Sequence, residues 1–403
     1  MRLRIACVKP ITTPSKNTPS SFRNMEHSFE SAFAYSPTIR SRAPGRIEFI
    51  GNHTDYNGGM VMGVAVDKGI SIAASPRADN TIRMATSHGD APTSADIANI
   101  QPLAGDASWC NYILGVVKAM QDEGMKTPHG FDIFVDSDLP SGAGLSSSAA
   151  LELSTGWALS AMFKFPLDKA TLARVGRKAE NTFVGMPCGI LDQGVSAFGE
   201  KDAIVRIDCA KENFTTIPMP KGLRFWVFNT MEKHNLVESL YATRHKECMD
   251  AFDLLREAGC EAENLAAVAP DFVRKAKLPA TLEMRALHVC EEHRRVIAMG
   301  KALEAGKVSE MGRLLCASHR SSSTLFENST ERLDALVEIL GATQGVVGAR
   351  LTGGGFGGAA MALTLDSFGE EQARTVCDAF EKQFGQRPSV FSAAAGAGAR
   401  LCQ

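Results

Sequence analysis

Two glycine-rich stretches, one lone carboxylate and one arginine are the residues here whose types and spacing could do chemistry. Pro140-Ser-Gly-Ala-Gly-Leu-Ser-Ser-Ser148 follows the alternating residues Phe131, Ile133 and Val135 and precedes helical spacing from Ala149 to Phe163. Strand, glycine loop, helix is an order that binds phosphate. The glycines let backbone approach closely, and the first amides of the helix have no partners of their own. The three serines add hydroxyl donors and one hard oxygen suited to Mg²⁺. The same residues also describe a serine-capped helix after a tight turn, and the loop alone leaves both readings open. No G-x-x-x-x-G-K-[ST] occurs, and no H-R-D with a later D-F-G, so a kinase here needs another architecture. Gly353-Gly-Gly-Phe-Gly-Gly358 is either a flexible connection or backbone pressed against a ligand. Asp192 lies in a stretch too apolar for a solvated loop, as a turn residue or a catalyst. Arg46 could equally be an edge-strand charge. His288 and His293 point about 140° apart on a helix and cannot share a tetrahedral metal site.

The elements that must position these residues are legible in outline. Arg46–Ile50, Gly69–Ser75, Ala203–Asp208 and Arg224–Asn229 read as strands, and Trp109–Met120 and Thr171–Phe183 as helices. Helices dominate from Leu240 to Leu340. The end alternates: strand near Val346–Leu351, strand at 359–365, helix at 373–384, strand at 388–394. A Pro/Lys-rich stretch near 213–222 marks the boundary between two domains, and the βαβ-like finish makes the second one α+β. At 403 residues, with 44% hydrophobic and 22% charged, the chain has ample material for a large core. Forty-three basic against 45 acidic residues give a net charge of −2, which argues against nucleic acid or a membrane surface as partner. No apolar run reaches the ~18 residues of a membrane span; the stretch Met60–Val66 stops at Asp67 and Lys68. Ten cysteines without CxxC spacing suit buried thiols in a reducing compartment, so a cytoplasmic location is expected. The first 25 residues carry five basic residues and no acid, with no apolar or amphipathic segment, and read as a disordered extension.

Taken together these segments resemble the galactokinases, a branch of the GHMP small-molecule kinases that also include homoserine and mevalonate kinases. The likeness runs from about Phe29 to the C-terminus. It rests on APGRIEFIGNHTDYNGG at 43–59, LPSGAGLSSSAALE at 139–152, GMPCGILDQ at 185–193 and LTGGGFGG at 351–358. Shorter agreements are SWCNYILGV at 108–116, ESLYATRHKEC at 238–248 and SHRSSSTLFENS at 318–329.

The resemblance implies an α+β fold of two domains with the active site in the cleft between them. Residues 1–28 would be the extension. Residues 29–215 would form a mixed α/β domain binding sugar and phosphate, and 216–403 a ferredoxin-like α+β domain completing the cleft. Asp192 matches the base that takes the proton of the sugar C1 hydroxyl, and Arg46 the arginine beside it that stabilises the transferring phosphoryl. Ser141, Gly142, Ala143, Gly144, Leu145, Ser146, Ser147 and Ser148 match the nucleotide loop, with Ser148 and Glu180 at Mg²⁺. Asn52, His53, Thr54, Asp55, Gly189 and Tyr241 match the sugar side. The implied reaction makes galactose 1-phosphate from ATP in a monomeric enzyme.

Two positions depart from the family pattern. Glu48 stands where the family has Asn, and Asn52 where it has an acid that meets the sugar's 6-hydroxyl. Four residues along a strand span about 13 Å, which places Glu48 out of reach of that role. An amide at position 52 can donate to a C6 carboxylate, so galacturonate or another modified galactose, such as N-acetylgalactosamine, is the alternative substrate. A catalytically inactive sensor of sugar and ATP is the alternative from another class.

Overall fold

The computed structural model describes residues 20–87, 89, 91–140, 142–232 and 237–402. Strands run in chain order β1 (Ile39–Ile50), β2 (Met60–Pro76), β3 (Thr81–Thr86), β4 (Thr93–Asp96), β5 (Phe131–Ser137), β6 (Ala203–Asp208), β7 (Asn213–Pro218), β8 (Leu223–Asn229), β9 (Val346–Thr352), β10 (Ala359–Leu365), β11 (Ser389–Ala393) and β12 (Arg400–Leu401). Helices are α1 (Ser20–Phe33), α2 (Cys110–Asp122), α3 (Ser147–Phe163), α4 (Lys169–Lys178), α5 (Leu191–Phe198), α6 (Val237–Glu257), α7 (Pro270–Lys275), α8 (Ala280–Glu304), α9 (Val308–Ser321), α10 (Glu331–Gly341) and α11 (Glu370–Phe384).

The apolar residues of 60–76 crowd both faces of the chain, and burial on both faces makes them one central strand. Asp67 and Lys68 do not end it. The register slips where Pro44 pairs with Gly69 and Arg46 with Ala65, and this bulge turns the two charges outward. The first sheet is ordered β12-β1-β2-β5-β3-β4, with β6 added to β2 and β7 to β6. Ile113, Leu114 and Val117 of α2 pack with Leu153 and Leu159 of α3 and with Ile133 of the sheet.

The second sheet is ordered β11-β8-β10-β9 with every pair antiparallel. In chain order that is fourth, first, third, second, the ferredoxin-like arrangement. Leu333, Leu336 and Leu340 of α10 and Val376 and Phe380 of α11 cover one face. Val296 and Met299 of α8 and Leu315 of α9 join Phe225 of the second sheet with Ile47 and Phe49 of β1 in one core. The two halves are therefore packed through a shared apolar layer, which fixes the cleft at their edge.

Several boundaries differ from the expected ones. Residues 213–218, read as linker, form β7 on the first sheet, and the second sheet starts at Leu223. The chain returns at its end, where Ser41 pairs with Leu401. Residues 20–28, placed in the extension, belong to α1, whose Met25, Phe29 and Phe33 bury against Ala73 and Phe134. Strands β3 and β4 were not anticipated.

Candidate active site

A cleft of about 1100 Å³ opens between the sheets, and both glycine loops line it. Gly142 and Gly144 have φ of 68° and 66°, conformations in which glycine carries no strain. Ser146, at φ 53°, precedes α3 without capping it through its side chain. The amides of Ser147, Ser148 and Ala149 thus lack intrahelical partners and form an anion site. Ala143 and Leu145 are buried in the apolar layer, so the loop offers backbone there. Ser141 lies outside the described residues. The loop is tied to β1 and β8: Arg46 N–H donates to Leu145 O at 2.9 Å, and Asn229 Nδ2 to Gly142 O at 2.7 Å.

Asp192 sits in the first turn of α5, and its carboxylate does not cap that helix. Its Oδ1 accepts from Arg46 Nε and Nη2, both at 2.7 Å, while Oδ2 accepts from Ser146 Oγ. Arg46 Nη1 continues to Gly144 O at 2.5 Å. The Arg46 guanidinium is 5% exposed; burial works against its charge, but Asp192 and Glu48 outweigh burial and hold its pKa up. Carboxylate, guanidinium and phosphate loop are therefore one connected unit.

Glu180 lies beyond this unit, in a π-helical turn after α4. Its Oε2 accepts from Gln193 Nε2 at 2.7 Å and from the Cys188 thiol at 3.5 Å, and Ser148 hydrogen-bonds the same carboxyl. Burial and the neighbouring Asp192 charge raise its pKa. No Lys or Arg pairs with it among the described residues. A buried carboxylate with neutral donors, beside a serine hydroxyl and a second acid, suits a hard dication. Among the described residues no cluster of three or more acidic, His or Cys side chains could hold a metal alone.

The loop 51–59 contributes Gly51, Asn52, His53 and Asp55 to the cleft wall where the sugar side is expected. Asp55 lines the cleft, and burial followed by the Asp192 charge raises its carboxyl to about 7. Gly189 makes room for it: a Cβ there would lie 2.0 Å from Asp55 Oδ2. His53 Nε2 lies 3.0 Å from Gly354 O, which can only accept, so Nε2 carries the proton and Nδ1 accepts from Tyr56 at 2.8 Å. Burial pushes the His53 pKa down to about 3. Its ring is packed between Tyr241 and Phe326, with centroids 4.9 and 4.4 Å away. His53 and Tyr241 both line the cleft, and because both ring nitrogens are committed His53 braces the wall.

Two expectations on this loop need correction. Thr54 is fully buried, does not line the cleft, and donates to Gly51 O at 2.8 Å or Met60 O at 2.9 Å, so it shapes the loop. Asn52 is 1% exposed and its carboxamide is saturated. Nδ2 donates to Glu48 Oε1 and Gly353 O, both at 2.9 Å; Oδ1 accepts from Asn328 Nδ2 at 2.7 Å and Ser322 Oγ at 3.2 Å. Nothing remains for a sugar. Glu48 is not 13 Å away because β1 stops at Ile50 and Gly51, at φ 110°, folds Asn52 back beside it.

Sequence reasoning missed the residues that hold this corner, Arg350, Ser322 and Asn328, and also Gln193, which holds Glu180. Three of the four lay in stretches already singled out, 318–329 and 185–193. Arg350 lies in β9, three residues before Gly353 of the second glycine loop, and carried no signal of its own. That loop is no flexible connection; its Gly353 and Gly354 carbonyls accept from Asn52, His53 and Asn328. His288 uses Nδ1 on Ser321 Oγ at 2.9 Å and Nε2 on Asn52 O at 3.0 Å, a structural role.

Three family models match the chain: GHMP kinases N terminal domain over residues 111–200, the galactokinase galactose-binding signature over 27–76, and GHMP kinases C terminal over 299–386. A galactokinase of Actinobacillus pleuropneumoniae serotype 3 is 38% identical over 362 residues, 89% of this chain and 93% of its own. The Lactococcus lactis galactokinase complexed with galactose superposes with a TM-score of 0.91 at 29% identity, covering 94% of this chain and all of the other. The Methanococcus jannaschii mevalonate kinase, at 18% identity and TM-score 0.62 over 89% of this chain and 98% of its own, shares the fold. With cleft, phosphate loop and paired Asp192 and Arg46 all in place, the chain belongs to the GHMP kinases, in their galactokinase branch.

Proposed function

We propose that this protein transfers the γ-phosphoryl group of ATP to the C1 hydroxyl of galactose. The observation that carries the reading is the unit Asp192–Arg46–Gly144, which joins a carboxylate and a guanidinium directly to the open helix start of α3. In the proposed reaction Asp192 accepts the proton of the C1 hydroxyl as the O1–P bond forms and the bond to the ADP oxygen breaks. Arg46 and the α3 amides stabilise charge on the transferring phosphoryl, work that alignment and electrostatics can do without covalent catalysis. Ser148 and Glu180 would hold Mg²⁺ together with the nucleotide, and the ion would supply charge compensation on the phosphates. Asp55 accepts from sugar hydroxyls on the opposite wall.

All these residues come from one chain, so the enzyme is proposed to work as a monomer. Every described cysteine is a free thiol and no described helix is long and apolar enough to cross a membrane, which supports a cytoplasmic assignment. The galacturonate alternative rested on an Asn52 amide facing the ligand, and that amide is consumed by protein partners. The sensor reading would need a damaged loop or base, and both are intact.

A coupled ADP-release assay across a sugar panel tests the proposal. Turnover on galactose with MgATP is the expected result. Binding of both ligands without turnover on any sugar would make the protein a sensor.

A further inference from the structure

Glu48 is a buried acid on the cleft wall that the mechanism above does not use. It is 5% exposed and lines the cleft with Asp55, Asp192 and Tyr241. Its Oε1 is held by Asn52 Nδ2 at 2.9 Å and by Arg350 Nη2 at 3.1 Å, while no hydrogen bond among the described residues reaches Oε2. Arg350 is wholly buried, and Glu48 is its ion-pair partner among the described residues. Side chains two apart on a strand share a face, so Glu48 points the same way as Arg46, about 7 Å along β1. The pairing is regular over this interval, with Arg46 opposite Ala65 and Glu48 opposite Gly63. With C1 of a hexose anchored at Asp192 and Arg46, a carboxylate one such step away meets the far end of the ring. The hydroxyl extending furthest from C1 is the one on C6.

We propose that Glu48, through its unbonded Oε2, is the residue that accepts the sugar's C6 hydroxyl and sets specificity there, with Asn52 and Arg350 as the positioning residues that aim it. This deepens the proposed function and rests on its placement of C1. Asn52 must be an amide for this to work: its two N–H groups serve Glu48 and the Gly353 carbonyl, which no carboxylate could do. The corner thus keeps one acid and one amide, but the acid is on β1. A C6 carboxylate would face Glu48 at close range in a buried corner, so sugar acids are excluded rather than favoured.

The test is calorimetric binding of galactose and 6-deoxygalactose, which reads Glu48 whether or not phosphoryl transfer occurs; turnover on galactose, measured separately, reads the parent proposal. Wild-type protein should bind galactose about tenfold or more tighter than 6-deoxygalactose, the range for a hydrogen bond to a charged group. In Glu48→Gln the gap should shrink to about threefold or less. That variant leaves Arg350 buried without a counter-charge, so its melting temperature is measured alongside. If it does not fold, Glu48→Gln combined with Arg350→Met removes both charges and gives the same readout. Equal binding of the two sugars by the wild type would overturn the proposal, and so would an unchanged gap in a folded Glu48 variant.

Discussion

At the scale of single residues, the sharpest expectation concerns Asp192. Arg46 holds one of its oxygens and Ser146 the other, so Asp192→Asn keeps the shape and removes the base. Turnover should fall by about 10²–10⁴-fold with ATP affinity nearly unchanged, read from steady-state kinetics and nucleotide titration. Near-normal turnover would remove Asp192 from the mechanism. Asp55 adds a pH signature. Its folded value near 7 lies above the unfolded 3.8, so the folded state binds the extra proton between those limits. Its contribution to stability is present below 3.8 and is lost as pH rises through about 7. Galactose binding has the opposite preference, because the ionised carboxylate is the stronger acceptor. Apo-protein melting temperature should thus gain from mild acid in this window while galactose affinity weakens, measured by calorimetry from pH 5.5 to 8. That Asp192, Arg46, Asp55 and Gly189 meet in one cleft was legible in the sequence because each stands in a string with a recognisable pattern. Asn52 was misread. Its role depends on Gly51 reversing the chain, and on Arg350, Ser322 and Asn328 arriving from some 300 residues away, which spacing along one strand does not reveal.

At the scale of elements, the second glycine loop is a built wall rather than slack chain. Gly355 has φ 82°, and a Cβ there would lie 2.2 Å from the Asn328 carbonyl that Phe356 N–H uses at 2.6 Å. Gly355→Ala should cost about 1–2 kcal/mol for the left-handed backbone alone, with the collision added. Because Asn328 also holds Asn52, the same change should raise KM for galactose more than KM for ATP. Equal effects on both would mean the loop does not brace the sugar corner. Long strands and helices were readable from periodicity: β5, α2 and α3 lie within a residue or two of their expected limits. Unreadable pieces have physical reasons. β2 is buried on both faces, so it shows no alternation, and its bulge puts two charges in mid-strand where they mimic an end. β7 is half exposed, and proline and lysine at its border imitate a linker. The amphipathic α1 carries no acid in its first turn and no base in its last, so the usual end signals are missing.

At the scale of the whole molecule, the shared core of β1, α8, α9 and the second sheet makes the cleft a fixed feature, with acid on both walls and Arg46 as the one Lys or Arg lining it among the described residues. Such a site calls for the positive charge that Mg²⁺ brings with ATP. EDTA should abolish turnover, and Glu180→Ala should raise the Mg²⁺ concentration needed for half-maximal rate. Indifference to both would end the Ser148–Glu180 assignment. The central claim is that this architecture delivers the phosphoryl group to one oxygen. Asp192 and Arg46 stand beside the phosphate loop, and Glu48 is proposed to hold the other end of the sugar away from it. The most direct measurement is therefore the position of the phosphate ester formed from ATP and galactose, read by ³¹P and ¹H NMR of the product mixture. The account predicts ester at the anomeric carbon alone. Ester at C6, or ADP formed without any sugar phosphate, would contradict it.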